Sequence, residues 1–422
     1  MATAAVILQP GLPKAAFKPI IQGQATKRKL EHIEFDPRQH LAFEEPQSIV
    51  TMKDIGYSED TGISPVAVSH PFRMFTPECI QNFRDEVLSD EVLEKCSYRS
   101  NIAASQVRGY APKYLFMSLL IPSSLLADDL TRYAPFTYDA WHNPWTLSIV
   151  SKIAGMDLIP NMDFEIGHIN ISVKSEKQAL DEKAAVELQR KSFADDEGNA
   201  GCPWEDDKPV VGWHRDSYPF VCVTMLSDCT KMVGGETALK MANGEVMRVR
   251  GPQMVGCHIT ARTTTAADIS PQGCAVVMQG RYITHQALRA LGAQERITMV
   301  TSFRPKSPFL PDDSVLSTVR GISRLSDLYY EFGRYRLEML EQRIQTQIKR
   351  LREDHETGNK TDTKALKAFL DEQEQFVRRT NSEMIPEEDV VEGHQPEMGL
   401  ENVKLPTPPE DEERSVKRAK VA

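Results

Sequence analysis

From Phe164 to Phe303 the apolar residues alternate instead of recurring every three or four positions, in short runs broken by turn residues. Phe164, Ile166, His168-Ile169 and Ile171-Ser172-Val173 begin the pattern after Pro160. It resumes at Val210–Gly212, Phe220–Leu226, Thr237–Lys240, Glu245–Val249, Met254–Ile259, Cys274–Met278 and Arg296–Phe303. A period of two places alternate side chains on opposite faces of a strand. Gly234-Gly235, Asn243-Gly244, Gly251-Pro252 and Pro271-Gln-Gly273 separate the runs, and Asn-Gly between two short strands predicts a hairpin. Many short strands at this spacing close into a sandwich or a barrel.

The flanks follow other periods. Residues 1–65 alternate short apolar pieces with Pro and charge, and read as an extended N-terminal arm. Residues 66–310 hold the main domain, with its β core at about 160–305. Pro77 opens a helix with Phe83, Val87 and Val92-Leu93 on one side; Trp141-His-Asn-Pro-Trp145 opens another through Ile149, Val150 and Ile153. Leu115 to Leu126 is mostly apolar. Residues 174–207 form a charged insertion with helical spacing at Leu180, Ala184 and Leu188, read as a solvated flap. In 311–380 a stripe runs through Leu325, Leu328, Phe332, Tyr335, Met339-Leu340, Ile344, Ile348 and Leu351, and a second through Leu366, Phe369-Leu370 and Phe376-Val377. Such helices either pack back on the β core or pair two copies into a homodimer. The whole is α+β, mainly β, with flanking helices.

Charge decides between partners. The segment Asn381–Glu413, with 11 acidic residues and one Lys, contributes −10, equal to the net charge of the chain, and lies in the Pro- and Glu-rich tail 381–422, read as disordered. The remaining body is near neutral, without the basic footprint of a nucleic-acid binder. No apolar run is long enough for a membrane span. Seven Cys at irregular spacings, with no Cys-x-x-Cys pair, argue against a disulfide framework or a structural zinc site and for a reducing compartment. Lys27-Arg-Lys29 and Lys417-Arg-Ala-Lys420 resemble nuclear import signals, so cytoplasm or nucleus is the expected location.

Within the β region stands Gly212-Trp213-His214-Arg215-Asp216-Ser217. His-x-Asp at a strand end puts an imidazole and a carboxylate on one face, at two adjacent corners of an octahedral metal site. A third ligand has to come from a distant strand, and His285 is the candidate. Two His and one carboxylate with open positions make a non-haem Fe(II) facial triad. Arg296 and Thr298 follow on one strand face and offer a guanidinium fork and a hydroxyl that suit a dicarboxylate. His168 and His258, in strand-like runs, are alternative metal ligands, but without a carboxylate two residues on they read rather as core or rim histidines. Cys222, Cys257 and Cys274 read as small core hydrophobes. Arg281 and Tyr282 fit an anionic substrate or a loop salt bridge equally well.

His214-x-Asp216, the distant His285 and Arg296-x-Thr298 resemble the motif of the Fe(II)/2-oxoglutarate-dependent dioxygenase superfamily, over about residues 160–305. Glu295-Arg-Ile-Thr298 with Phe303-Arg-Pro305 is similar to the run that closes the barrel in its isopenicillin-synthase-like branch. The resemblance implies a double-stranded β-helix, or jelly roll. It implies Fe(II) on His214, Asp216 and His285, and 2-oxoglutarate held by Arg296 with Thr298. With O2, the cosubstrate would go to succinate and carbon dioxide while a C–H bond is oxidised, by hydroxylation, desaturation or ring closure. Asp216 sets the chain apart from the halogenating branch, where a small residue replaces the carboxylate. Asn170, Trp213 and Tyr218 are candidate substrate residues, with Asn170 and Ser172 alternatives for the keto acid end.

A near-neutral body and a flap suit a small molecule such as an amino acid or natural-product intermediate. The alternatives are a nuclear oxygenase acting on protein or nucleic acid, a catalytically silent β-helix that binds partners through 312–380, and a zinc hydrolase, which leaves Arg296 and Thr298 without a role.

Overall fold

The computed structural model describes residues 33–58, 60–101, 103, 105–112, 133–192, 209–229, 232–252 and 273–395. The expectations for Leu115–Leu126, Met254–Ile259, Cys257 and His258 lie outside these residues, as do both basic clusters.

The described strands in chain order are β1 (Ile49–Thr51), β2 (Val66–Ser69), β3 (Phe72–Arg73), β4 (Ser97–Tyr98), β5 (Gln106–Val107), β6 (Leu158–Pro160), β7 (His168–Val173) and β8 (Pro209–His214). There follow β9 (Phe220–Met225), β10 (Val233–Gly234), β11 (Thr237–Lys240), β12 (Val246–Val249), β13 (Cys274–Met278), β14 (His285–Leu288), β15 (Ala290–Leu291) and β16 (Glu295–Pro305). A large sheet runs β1-β2-β13-β9-β16-β7-β5-β4, and a smaller one runs β12-β11-β14-β8. Every pairing is antiparallel. The fold is therefore α+β around an antiparallel β core. Phe164, expected with Ile166 to start a strand, instead lies within a 3-10 turn at Asp163–Glu165 that Ile166 ends, and the strand starts at His168.

Alternation sorts the side chains of the large sheet into two layers. Ile169, Ile171, Cys222, Ala275, Val277, Ile297 and Met299 point one way, into a core shared with Phe75 and with Phe83, Phe136 and Trp141 of the covering helices. The other face, with Val221, Val276 and Met278, packs on Leu239 and Val249 of the small sheet. Each fully buried Phe or Leu contributes roughly 1.5–3 kcal/mol. The site lies between the two sheets, within this second layer.

The helices have local reasons to form. In α1 (Pro37–His40) and α2 (Pro77–Val87) a Pro follows the cap, and Thr76 caps α2 by accepting from Cys79 N at 3.2 Å. Helix α2 turns Cys79, Ile80, Phe83 and Val87 inward at helical spacing. Ser89 caps α3 (Asp90–Lys95); α4 (Pro135–His142) is followed by Asn143, which caps α5 (Pro144–Ala154), ended by Gly155 at φ 71°. Helix α6 (Glu176–Ser192) occupies the charged insertion. The expected hairpin joins β11 to β12 around Gly244 at φ 87°, with Asn243 Oδ1 accepting from Glu245 N.

Helices α7 (Leu325–Glu356) and α8 (Thr363–Glu383) follow the β core. Leu328, Phe332, Tyr335 and Met339 pack with Phe164, Tyr218 and Phe376, so the expected apolar stripe turns back onto the body. Arg336 and Arg343 lie over the Phe376 ring at 3.7 and 4.4 Å. At the other end of the chain, residues 33–65 are joined to the body: β1 pairs with β2, and Met52 and Ile55 are fully buried. Among the described residues no helix is long and apolar enough to cross a membrane.

Candidate metal centre

The small sheet aligns the two histidines. In the β14–β8 pairing His285 stands directly opposite His214, and their rings are 4.3 Å apart. Strand β8 ends at His214, so Asp216 is placed by the turn that follows rather than by strand alternation. Its N–H donates to Gly280 O at 3.1 Å. Its Oδ1 lies 3.4 Å from His214 Nε2 and 3.7 Å from His285 Nε2. One donor atom from each residue falls within 4.8 Å of the others, the only such His, Cys, Asp and Glu grouping among the described residues.

Two features prepare these groups for a cation. His214 Nδ1 is 2.7 Å from Gly212 O, and His285 Nδ1 is 2.9 Å from Ile283 O. A carbonyl can only accept, so both Nδ1 atoms carry a proton and both Nε2 atoms face the gap. Gly280 lets the carboxylate in, because a Cβ there would lie 1.7 Å from Asp216 Oδ2. That Oδ2 is buried and has no hydrogen-bond partner. A buried carboxylate oxygen without a partner, beside two inward-facing imidazole nitrogens, fits a divalent cation.

Without a cation, the charges balance locally. Burial pushes the His285 imidazole down to about 4, so it is neutral at pH 7. Burial also acts to lower His214, but the hydrogen bond and charge of Asp216 outweigh it and leave that imidazole above its ordinary value. Burial raises Asp216, and the two imidazoles outweigh it, so Asp216 remains a carboxylate.

The large sheet supplies the opposite wall. In register across β7 and β16, Ser172 faces Arg296, Asn170 faces Thr298 and His168 faces Val300; Gln106 of β5 lies on the far side of Asn170. Arg296 and Thr298 therefore share one sheet face with Asn170 and Ser172, and Arg296 is 9% and Thr298 2% exposed. The Arg296 Nε has no hydrogen-bond partner. Burial pulls its pKa down, the sign of a cation held out of water. A buried guanidinium with an unused N–H fits a carboxylate ligand.

The remaining candidates divide. Trp213 is on the β8 face opposite His214, with Lys240 Nζ 4.9 Å over its ring, so it packs away from the histidines. Tyr218 is 2% exposed and donates to Glu165 Oε1 at 2.8 Å, inside a buried network. Arg215 Nε donates to Thr284 Oγ1. Arg281 Nε donates to Asp313 O, and the Tyr282 hydroxyl to Asp313 Oδ2. Cys222 and Cys274 are fully buried in the core.

Three further residues stand near the centre. His168, a metal-ligand alternative in the sequence, lies outside the triad, is buried deeply enough to bring its pKa to about 3, and the charges of Asp216 and His214 act on it. Arg108 and Glu165 form a buried ion pair. Gln-Val-Arg and Asp-Phe-Glu are ordinary tripeptides, and only the register of β5 against β7 brings them to this site.

No family model and no curated protein matches the chain. Among solved structures it is similar to an oxidoreductase of the 2OG-Fe(II) oxygenase family from Burkholderia pseudomallei, at 11% identity over 51% of this chain and 76% of that one, with a TM-score of 0.26. It is also similar to a prolyl-4-hydroxylase from Pseudomonas putida, at 18% identity over 33% of this chain and 72% of that one, with a TM-score of 0.15. On the chain itself, His214 and His285 meet across the small sheet with Asp216 beside them, and Arg296 and Thr298 share one face of the large sheet.

Proposed function

We propose that this chain is an Fe(II)/2-oxoglutarate-dependent dioxygenase, built on a jelly-roll core, that oxidises a C–H bond of a small molecule such as an amino acid or natural-product intermediate. The observation that carries the proposal is a complementary pair of walls. Two imidazole Nε2 atoms and an unpartnered carboxylate oxygen converge on one, and a buried guanidinium with an unpartnered N–H stands on the other. A metalloprotein that used only the triad would gain nothing from burying Arg296, whose desolvation is costly without an anion.

His214, Asp216 and His285 would hold Fe(II), which supplies the O2 chemistry that couples decarboxylation of 2-oxoglutarate to oxidation of the substrate. The chain's own part is positional. Gly212 O and Ile283 O fix both ring tautomers, so no proton has to leave Nδ1 when a cation binds. Arg296 receives the far carboxylate, with the Thr298 hydroxyl as a second donor on the same face. Asn170 and Ser172, across β7, are the polar groups nearest that slot in register. Val300, and Val223 opposite it on β9, add apolar surface to the same sheet.

The test is anaerobic. Fe(II) is added to the protein and 2-oxoglutarate is titrated while the weak visible charge-transfer band is followed, with His285→Ala and Arg296→Ala alongside. The expected result is a saturable band in the wild type that His285→Ala abolishes. Arg296→Ala should need at least about a hundredfold more 2-oxoglutarate, as for loss of a charge-assisted carboxylate contact. A wild type that binds iron but forms no band, or an Arg296→Ala protein with unchanged affinity, would overturn the proposal.

A further inference from the structure

One buried cluster beside the metal centre has no part in holding metal or cosubstrate. Strand β5 pairs with β7 so that Gln106 faces Asn170 and Val107 faces Ile169. The next residue, Arg108, therefore comes alongside His168 on the inner face, and its charge acts on that imidazole. Arg108 is completely buried. One nitrogen, Nη2, pairs with Glu165 Oε1, which also accepts from the Tyr218 hydroxyl, and the guanidinium carbon lies 5.3 Å from the centre of the Phe164 ring. The other two nitrogens, Nε and Nη1, have no hydrogen-bond partner, and neither has His168 Nε2. Three buried, unpartnered nitrogens on two adjacent residues are costly unless a ligand bonds to them, and the two on Arg108 can only donate.

Their position says which ligand it is. Arg296 stands opposite Ser172, and His168 is four residues along β7 from Ser172, about 13 Å at the usual strand rise. His168, not Arg296, is the residue on this wall that feels the charges of Asp216 and His214. A cosubstrate stretched between metal and Arg296 would run from the centre toward Ser172, leaving the His168–Arg108 end to the substrate. The charge of Arg108 is already matched by Glu165. A second carboxylate would bring an unbalanced negative charge into the pair, whereas a neutral carbonyl accepts N–H bonds without one.

Building on the oxygenase reading, we propose that Arg108 and His168 form the substrate subsite and that it takes a neutral carbonyl oxygen, as of an amide, lactam or ketone. One carbonyl oxygen has two lone pairs, enough to accept from an Arg108 N–H and from His168 in its Nε2–H tautomer together. Tyr218 then acts as a positioning residue, since it holds Glu165, which holds Arg108.

The experiment uses the full chain with Fe(II) and 2-oxoglutarate, kept anaerobic. Acetamide and sodium acetate are titrated separately, with sodium chloride as the salt control, and melting temperature and the visible band are read together. The variants are His168→Phe and the double change Arg108→Met with Glu165→Gln, which avoids leaving Glu165 buried without its partner. Acetamide should raise the melting temperature saturably and perturb the band, and acetate should do so at least about tenfold more weakly. Both variants should lose about tenfold in acetamide affinity, as expected for one or two hydrogen bonds, while keeping the 2-oxoglutarate affinity of the wild type. Acetamide binding unchanged in both variants, no acetamide binding to a wild type that shows the band, or a preference for acetate would each overturn the subsite. A missing band in the wild type is instead a failure of the oxygenase reading, and the subsite is then decided by the acetamide response of the melting temperature in the same proteins.

Discussion

Gly280→Ala tests the metal centre without removing any ligand. The new Cβ would sit 1.7 Å from Asp216 Oδ2 and 2.6 Å from its Cγ, whereas real Cβ atoms essentially never come closer than 3.0 Å to a neighbour. The carboxylate therefore has to retreat from 1.7 to at least 3.0 Å, about 1.3 Å, against the ±0.2 Å within which metal–ligand distances are held. Asp216 has little freedom to absorb this by backbone movement, because its N–H is tied to Gly280 O at 3.1 Å. Gly280 does not have a positive φ, so Ala adds no backbone strain and the fold should survive. The expected loss in metal affinity is about 10- to 100-fold, or about 1.4–2.8 kcal/mol, the range found when groups that orient a ligand are disturbed. Anaerobic calorimetric titration with Fe(II), beside circular dichroism to verify the fold, measures it. A folded Gly280→Ala protein that binds Fe(II) as tightly as the wild type would refute the geometry given to Asp216.

Metal binding should depend on pH through His214. Its imidazole is held above the ordinary 6.5, mainly by Asp216 working against burial, and a metal must displace that proton. Apparent affinity should climb about tenfold per pH unit below the His214 pKa and level off above it, with the break above pH 6.5; calorimetry from pH 6 to 9 would reject this if the affinity were flat. Stability should also fall as pH rises, partly through Glu331. Burial pushes this carboxyl from 4.5 up to about 8, so between those values the folded state binds the proton that the unfolded state has released. Glu331→Gln can still accept the Phe164 N–H, and should remove on the order of 3–5 kcal/mol of the stability lost between pH 4.5 and 8. Urea unfolding at pH 5 and pH 8 checks this, and an unchanged pH slope in the variant would show that Glu331 is ionised in the fold.

The sequence by itself determined the parts whose cause is local. Alternation marked out β7, β8, β9, β11, β12, β13 and β16, Asn243-Gly244 set its hairpin, Pro and side-chain caps started α2 and α5, and the stripe through Leu328, Phe332, Tyr335 and Met339 gave α7 a face to bury. His-x-Asp, a distant His and Arg-x-Thr were readable as a motif of short fixed spacings, although only Arg296 and Thr298 owe their common face to a strand. Tertiary structure decided the rest, since those contacts join residues far apart in the chain. Asp216 enters the centre by a turn hydrogen-bonded to Gly280, 64 positions away, and the requirement for Gly there becomes visible only when the carboxylate is in place. Trp213 and Tyr218, neighbours of the ligands in sequence, point elsewhere because β8 alternates and because Glu165 captures the phenol. Arg108 and His168, 60 positions apart, become one buried polar cluster only through the pairing of β5 with β7. Period and spacing show which face a side chain takes, but strand register between distant segments determines what stands opposite it.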